Sequence, residues 1–244
     1  MSTTLISSPP TNNNRILNAL SRAEYERLAD HLEFVNLTKG EILYQPDEPI
    51  THVYFPNRGT VSIVSTFEDG GMVEVGMVGN EGMFGVCVFL GSISTPLLAQ
   101  VQLEGDGFRM RAEVFMGEFN KGGVLHDMLL RYTQCFITQI ALAAACNRAH
   151  NINGRLSKWL LMCQDRAQSK NLPLTHEFIA TMLGTRRAGV TEAATALRDA
   201  GVISYYRGQV TIIDRKGLEG MSCECYPMMK KEFTRLVRGN GHAL

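Results

Sequence analysis

Residues 174–203, LTHEFIATMLGTRRAGVTEAATALRDAGVI, have the pattern of two short helices separated by a turn. Thr175 is typical of the residue before a helix, because its hydroxyl accepts hydrogen bonds from free backbone N–H groups of the first turn. Apolar residues then recur at helical spacing as far as Gly184, where glycine permits the left-handed backbone of a tight turn. A second amphipathic helix is predicted over residues 185–199. This arrangement is typical of a helix-turn-helix.

Two arginines, Arg186 and Arg187, stand at the start of the second predicted helix. A helix N-terminus carries partial positive charge, so adjacent guanidinium groups are useful there only beside an anion or a base edge, and DNA supplies both. A β-hairpin is predicted directly afterwards, over residues 203–213, with its turn at Arg207 and Gly208. The pattern predicts a winged helix-turn-helix that binds DNA, with Arg207 over a phosphate. The alternative is the solvated face of an ordinary helical domain.

The two halves of the chain carry net charges of opposite sign. The whole sequence has 24 basic and 24 acidic side chains, but residues 147–244 hold 15 basic and 8 acidic ones, a net charge of +7. Residues 1–146 therefore carry a net charge of −7. A cationic surface supplies most non-specific affinity for DNA by releasing condensed counterions. The basic half is the half with the predicted helix-turn-helix, which independently favours DNA binding.

Residues 175–184, 185–192 and 197–203 resemble the cyclic-AMP receptor and fumarate-nitrate-reduction (Crp/Fnr) regulators of bacterial transcription. The resemblance implies an α+β fold: an N-terminal antiparallel β-roll of the cyclic nucleotide-binding type, a long dimerisation helix and a C-terminal winged helix-turn-helix. It also implies a homodimer that binds an inverted repeat in double-stranded DNA and that can contact RNA polymerase. The residues expected at the DNA are Thr175, Thr185, Arg186, Arg187, Gly189, Thr191, Glu192 and Arg207.

The resemblance also bears on which DNA sequence is bound. The positions that read bases in the cyclic-AMP receptor correspond to Arg187, Ala188 and Glu192. Ala188 stands where that receptor has Glu, and Glu192 stands where it has Arg, so the target is expected to differ. Arg187 can still bind guanine, and Glu192 can accept a hydrogen bond from the amino group of cytosine. The sequence leaves activation and repression both open.

The N-terminal half shows short β-rich segments, at residues 41–44, 52–55, 60–66, 73–78 and 99–103, between glycine-containing turns. This spacing is typical of a small antiparallel barrel or roll. The predicted organisation is a flexible tail (1–17), a β-roll sensor domain (18–122), a dimerisation helix (123–150), a winged helix-turn-helix domain (151–216) and a C-terminal extension (217–244). Residues 151–154, Asn-Ile-Asn-Gly, are the predicted hinge between the two larger domains.

The predicted helix over residues 123–150 carries an apolar stripe at alternating steps of four and three, which is typical of a coiled-coil seam. Such a stripe can also pack into its own domain. The resemblance and the small residues Ala141 and 143–145, which permit close approach of helices, favour a second subunit. The predicted dimer interface is Leu125, Leu129, Tyr132, Phe136, Gln139 and Ala143.

The predicted effector pocket departs from the family pattern. Relatives that bind cyclic AMP place a glutamate on the ribose and an arginine on the cyclic phosphate, but here no Glu occurs within residues 82–103 and no Arg between Arg58 and Arg109. Burial of a phosphate without a charged partner costs several kcal/mol. Cyclic nucleotide binding in the usual manner is therefore not expected. The candidate pocket residues are Gly82, Phe84, Gly85, Val86, Cys87, Pro96 and Leu97.

Three kinds of signal stay open: an apolar or uncharged effector in that pocket, no ligand, or a redox signal through Cys87. The main functional alternative is a true cyclic-nucleotide receptor that uses backbone contacts. An enzyme is a remote alternative, because the sequence has no nucleophile elbow, phosphate loop or catalytic His–Asp arrangement, and no catalytic residue or cofactor is predicted.

The six cysteines are Cys87, Cys135, Cys146, Cys163, Cys223 and Cys225, and none precedes Cys87. Family members with an iron–sulfur cluster have clustered N-terminal cysteines, so that sensing mode is not expected. Cys223 and Cys225 form half of a possible metal or redox site, but a tetrahedral metal needs more ligands, so no metal site is predicted. Reduced thiols, no signal peptide and no membrane span are expected, which favours a cytoplasmic protein.

Overall fold

A computed structural model describes residues 12–238 of the 244-residue chain. The strands are β1 (Glu33–Leu37), β2 (Ile42–Tyr44), β3 (His52–Thr66), β4 (Met72–Val78), β5 (Leu98–Arg111), β6 (Asn171–Leu172), β7 (Ile203–Tyr206) and β8 (Gln209–Ile212). The helices are α1 (Arg15–Asn18), α2 (Arg22–Ala29), α3 (Val86–Phe89), α4 (Ala112–Phe119), α5 (Gly123–Ala149), α6 (Ile152–Ala167), α7 (His176–Met182), α8 (Arg187–Asp199), α9 (Arg215–Met221) and α10 (Cys225–Arg238). Within residues 12–238, no helix combines the length and apolar character that crossing a membrane requires.

The N-terminal sheet is antiparallel, with the strand order β1-β5-β3-β4 and β2 paired to β5. The two segments predicted at residues 52–55 and 60–66 form the single strand β3. The Asn-Arg-Gly segment between them is a bulge rather than a turn, where the register with β5 shifts. Gly59 has a φ of +90°, and a Cβ there would lie 2.8 Å from the Leu103 carbonyl oxygen, so the close backbone approach requires glycine.

The tail predicted over residues 1–17 is wrong from Asn14 onward, and residues 1–11 lie outside the described part. Asn14 is fully buried and caps α1: its side chain accepts hydrogen bonds from the backbone N–H groups of Ile16 and Leu17. Its amide donates to the carbonyl oxygens of Pro56 and Gly82. Ile16 and Leu17 are buried in the core of the roll, which explains why this segment is ordered.

The long helix predicted over residues 123–150 is confirmed as α5, but the face predicted to meet a second subunit packs into its own chain. Leu125, Leu129, Tyr132 and Gln139 are each at most 3% exposed in the single chain. Leu125, Leu129 and Tyr132 pack into the core of the roll beside α1, α4 and α10, and the Gln139 amide donates to the Met77 carbonyl. Their predicted assignment to the dimer interface is therefore wrong.

The predicted helix-turn-helix is confirmed as α7 and α8. The Thr175 hydroxyl accepts a hydrogen bond from the Phe178 N–H, and Gly184 has the predicted left-handed φ, +57°. The second helix begins at Arg187 rather than residue 185, because Arg186 has an extended backbone and precedes the helix as its cap residue. Strands β7 and β8 form the predicted hairpin, and β6 joins them in a three-stranded sheet.

The predicted domain boundaries do not coincide with boundaries of the hydrophobic core. Met77 and Leu103 of the roll share a core with α6, α7 and α8 of the helix-turn-helix part. Residues 152–154 lie in the first turn of α6. The break between α5 and α6, predicted at residues 151–154, therefore consists only of His150 and Asn151. The division at residue 216 falls inside α9, and α10 packs against α5. The sequence pattern located the two halves but not the surface that joins them.

Candidate DNA-binding and effector sites

The N-terminal end of α8 presents the two predicted arginines to solvent. Arg186 and Arg187 are exposed, and the cap residue Arg186 makes no side-chain hydrogen bond to the first turn of α8. Arg187 Nε lies 3.7 Å from Glu177 Oε2 on α7, and both side chains are about 70% exposed. Such an exposed pair contributes little energy, so the guanidinium is available to a stronger partner. This end of α8 is the natural position for a phosphate or a base edge.

His176, which the site prediction did not include, connects α7, α8 and the hairpin. Its ring stacks on Tyr205 with centroids 4.0 Å apart, and its Nδ1 lies 3.0 Å from Thr191 Oγ1. The Thr191 hydroxyl donates to the Arg187 carbonyl, so its oxygen accepts from His176 Nδ1–H. Burial lowers the pKa of His176, and the nearby charge of Arg187 lowers it further. A neutral His176 thus holds the hairpin at a fixed angle to α8.

The remaining predicted DNA contacts lie in the hairpin turn and in or next to α8. Arg207 occupies the hairpin turn with a φ of +45°, and Gly208 follows with +78°, as a two-residue turn of this type requires. The Arg207 guanidinium lies 5.1 Å from the centre of the Tyr206 ring, and both side chains are exposed. Thr191 and Glu192 are exposed on α8, whereas Thr185 and Gly189 are partly buried beside its first turn.

An apolar cavity of about 260 Å³ lies between the roll and α5. Phe84, Gly85, Val86, Cys87 and Leu97 line it as predicted. The contribution of α5 and of the sheet was not predicted, because their lining residues are distant in sequence from the predicted loop. The additional lining residues are Tyr44, Ile63, Val78, Met83, Leu90, Thr95, Leu98, Ala99, Thr133, Phe136, Ile137 and Ile140. All of these side chains are uncharged, in agreement with the absence of the cyclic-nucleotide Glu and Arg.

Two predicted pocket residues, Gly82 and Pro96, do not line the cavity. A Cβ on Gly82 would overlap the Tyr132 ring, so Gly82 permits the loop to pack against α5. Pro96 is exposed and is not among the residues that line the cavity.

Burial raises the pKa of the Cys87 thiol. Cys87 is therefore a protonated, weakly reactive thiol, which argues against its role as a redox sensor.

The face of α5 that points away from its own domain carries a second heptad-spaced stripe. Its members are Leu130, Gln134, Ile137, Ala141 and Ala144, separated by steps of four and three. Leu130 is 47% exposed and Ile137 is 55% exposed. We call these five residues the α5 seam. Apolar side chains at the centre with alanines towards the C-terminal end are typical of a face that packs closely against another helix.

A buried polar network links α5, the roll and α6. Arg166 on α6 forms an ion pair with Glu81, at 2.7 Å, and both side chains are under 10% exposed. Its guanidinium also donates to the side-chain oxygen of Gln139 on α5 and to the Met77 carbonyl of β4. A buried charge of this kind is tolerated only with several partners. Arg166 therefore fixes the helix-turn-helix part against both the roll and α5.

Glu74 is a second polar link between the roll and α6. Its carboxylate accepts a hydrogen bond from Trp159 Nε1, at 2.9 Å, and the Ser62 hydroxyl lies 2.6 Å from both Glu74 Oε2 and Gln102 Oε1. Burial raises the pKa of Glu74 to about 7. A hydroxyl has a single proton, so a protonated Glu74 that donates to Ser62 satisfies all three groups.

The raised pKa of Glu74 makes the stability of the chain depend on pH. The pKa of Glu74 in the folded chain lies above that of an unfolded Glu. The contribution of Glu74 to the free energy of unfolding is therefore complete below about pH 4.5 and is lost as the pH rises through about 7. Between pH 6 and pH 8 it falls by about 1 kcal/mol. Glu74→Gln should remove this loss, because an amide donates to Ser62 at every pH. Denaturant unfolding at both pH values measures the difference from wild type.

Glu104→Gln is the matched control, since Glu104 is exposed on β5. It should follow the wild-type dependence on pH. Equal pH dependence in wild type and Glu74→Gln would contradict the assignment of a protonated Glu74 to the folded chain.

Four cysteine and histidine side chains meet where α5 ends. Cys146 lies in the last turn of α5 and His150 directly follows that helix, whereas Cys225 begins α10 and Cys223 lies in the short link before it. Cys223 and Cys225 therefore do have companion ligands, Cys146 and His150, contrary to the prediction of no metal site. The sequence signal was the four-residue spacing of Cys146 and His150, which places both on one face of a helix.

Two domain models match the chain. Residues 34–130 match the cyclic nucleotide-binding domain, and residues 154–221 match the Crp-like helix-turn-helix domain. Together they span the roll with the first eight residues of α5, and the helix-turn-helix with its hairpin and α9. The chain belongs to the Crp/Fnr family. It is a transcriptional regulator of the Crp/Fnr type with both domains, and the predicted α+β fold class is confirmed.

Relatives and solved structures agree with this family membership. The chain is 23% identical over 196 residues to the global nitrogen regulator of Synechococcus elongatus, which covers 75% of this chain and 86% of that protein. It is 24% identical over 183 residues to the global nitrogen regulator of Nostoc, covering 71% and 82%. A transcriptional regulator of the Crp/Fnr family from Eubacterium rectale superposes with a TM-score of 0.67 at 19% identity, covering 86% of this chain and 99% of that one. FixK2 from Bradyrhizobium japonicum superposes with 0.66 at 18% identity, covering 79% and 98%.

Proposed function

We propose that this Crp/Fnr regulator binds an inverted repeat in DNA as a homodimer, with the start of α8 in the major groove and the hairpin turn on the backbone. The observation that carries the proposal is the uncapped N-terminal end of α8, where Arg186 and Arg187 are both exposed. Arg187 is positioned to bind guanine, while Thr175 and Arg207 lie where phosphates run. Such a protein acts in the bacterial cytoplasm, where the chromosome and RNA polymerase lie.

The α5 seam supports the homodimer. Two copies packed through Leu130, Ile137 and Ala141 bury apolar surface that a single chain leaves in water. A twofold axis along this seam places one α8 on each side, which matches the symmetry of an inverted repeat. The dimer interface thus lies on the exposed stripe of α5 and not on the buried stripe from which it was predicted.

The cavity supports control by a small apolar or uncharged molecule. Phe136 and Ile137 line it, and Ile137 also belongs to the α5 seam, so a ligand there contacts the helix that joins the subunits. Gln139, one turn further along α5, accepts the hydrogen bond from Arg166 of α6. A shift of α5 on ligand binding therefore alters both the subunit contact and the link to the helix-turn-helix part. The ligand acts by favouring one arrangement of these parts over another.

Selection of bound duplexes from a random pool at fixed salt tests the proposal. The expected result is enrichment of an inverted repeat with half-sites about one helical turn apart. Enrichment of an inverted repeat only after addition of cyclic AMP or cyclic GMP would mean that the protein is a cyclic-nucleotide receptor. Binding that remains independent of sequence and strongly salt-dependent, with and without candidate ligands, would overturn the proposal.

A further inference from the structure

The four metal-ligating side chains at the end of α5 have the geometry of a built site. The Cys146 and Cys223 sulfurs lie 3.6 Å apart, and Cys225 Sγ lies 3.7 Å from His150 Nδ1. All four candidate ligand atoms lie within 4.8 Å of one another. The three cysteines are under 10% exposed, and they form a small buried cluster of their own.

We propose that Cys146, His150, Cys223 and Cys225 bind a single divalent metal ion of the Zn²⁺ type. Three thiolates and one imidazole are an established ligand set for structural zinc. With Zn–S bonds of about 2.3 Å, a tetrahedral site separates its ligand atoms by about 3.5–3.8 Å, close to the two shortest separations in the cluster. The remaining separations need only a small inward movement of the side chains.

The surroundings of the cluster favour a metal. His150 presents Nδ1 to the cluster, while its Nε2 lies 3.0 Å from the Glu224 carboxylate. A histidine ligand usually donates its second ring N–H to a carboxylate in this way, which fixes the ring and raises its basicity.

The position of the site gives it a structural role. Cys146 lies in the last turn of α5 and His150 in the break between α5 and α6, and the Cys223 N–H donates to the Gly154 carbonyl in the first turn of α6. The metal would join the end of α5, the start of α6 and the start of α10 at one point. It would therefore hold the helix-turn-helix part at a set angle to α5, and its loss would loosen that junction.

A titration of the full-length, reduced protein with Co²⁺ tests the site without any DNA. Thiolate-bound tetrahedral Co²⁺ absorbs visible light, and Zn²⁺ displaces it without a colour of its own. The expected result is one Co²⁺ per chain with this absorption, displaced by one equivalent of Zn²⁺. Cys225→Ser should lose the absorption, and Cys135→Ser, which changes a buried cysteine of α5 outside the cluster, should retain it.

A second variant keeps the test valid if Cys225→Ser does not fold. Glu224→Gln retains all four ligands and removes only the carboxylate beside His150, so the affinity for Zn²⁺ should fall about 10–100-fold. The proposal is overturned if reduced wild type shows no absorption with Co²⁺, or if Cys225→Ser folds and keeps it. It is also overturned if Cys146 and Cys223 form a disulfide in freshly isolated protein and reduction does not restore metal binding.

Discussion

Ile137→Glu is expected to convert the protein to a monomer and to abolish specific DNA binding. Ile137 is 55% exposed at the centre of the α5 seam, so a dimer through this seam would bury two carboxylates against each other. Like charges in such a contact are strongly unfavourable, since neither has a partner. A monomer contacts only one half-site. Affinity for the selected inverted repeat should fall by about 1,000-fold or more, which is the lower range of the difference between specific and non-specific binding.

Sedimentation equilibrium and fluorescence anisotropy with the selected duplex measure the two effects. Ile93→Glu is the matched control, since Ile93 is 77% exposed and does not lie on α5. It should remain dimeric and bind with wild-type affinity. A dimeric Ile137→Glu protein would show that the subunits meet through another surface.

Arg187→Ala should weaken specific binding and relax the sequence requirement at one base pair of each half-site. The guanidinium at the start of α8 is exposed, and in the proposed complex it makes two hydrogen bonds to guanine. Each such contact contributes about 1–3 kcal/mol of discrimination, and a dimer makes it twice, so the total loss should be about 2–6 kcal/mol. Non-specific binding should change much less.

Arg198→Ala provides the comparison on the same helix. Arg198 lies in the last turn of α8, where it pairs with Asp199, so its loss should leave the sequence preference unchanged. Affinities for the selected duplex and for duplexes with each single base-pair change give the measurement. If Arg187→Ala lowers affinity for all sequences equally, Arg187 contacts phosphate and not a base.

Elements whose signals are local could be predicted from the sequence. Thr175, Gly184 and the Arg207–Gly208 turn each carry their structural role in the residue type, and each occupies the predicted conformation. The absence of charge from the sensor loop also predicted the uncharged cavity. These features depend on a few neighbouring residues, so no knowledge of the fold was needed.

Features that depend on packing could not be predicted in the same way. Helix α5 has two heptad-spaced stripes, and the more apolar stripe, at Leu125 and Leu129, is the one buried in its own domain. Hydrophobic periodicity identifies a buried face without saying whether the same chain or a second one covers it. The more polar stripe at Leu130 and Ile137 is the exposed one.

The cysteine cluster and the contribution of α5 to the cavity could not be predicted, because their residues are far apart in the sequence. Cys146 and Cys223 are 77 positions apart, and only the packing of α10 against α5 brings them within 3.6 Å. In the same way, Phe136 and Ile137 meet the predicted pocket loop only through the packing of α5 on the roll. The residues were visible in the sequence, but their proximity is a property of the fold.

Binding to duplexes with altered spacing between the half-sites tests whether two copies of α8, held together through α5, read one inverted repeat. The dissociation constant of wild type is measured for the selected repeat and for repeats lengthened by one to ten base pairs. Lengthening by five base pairs turns the second half-site to the opposite face of the duplex, so affinity should fall towards the non-specific value. An affinity that does not change with spacing would contradict a rigid dimer and would show that each chain binds DNA alone.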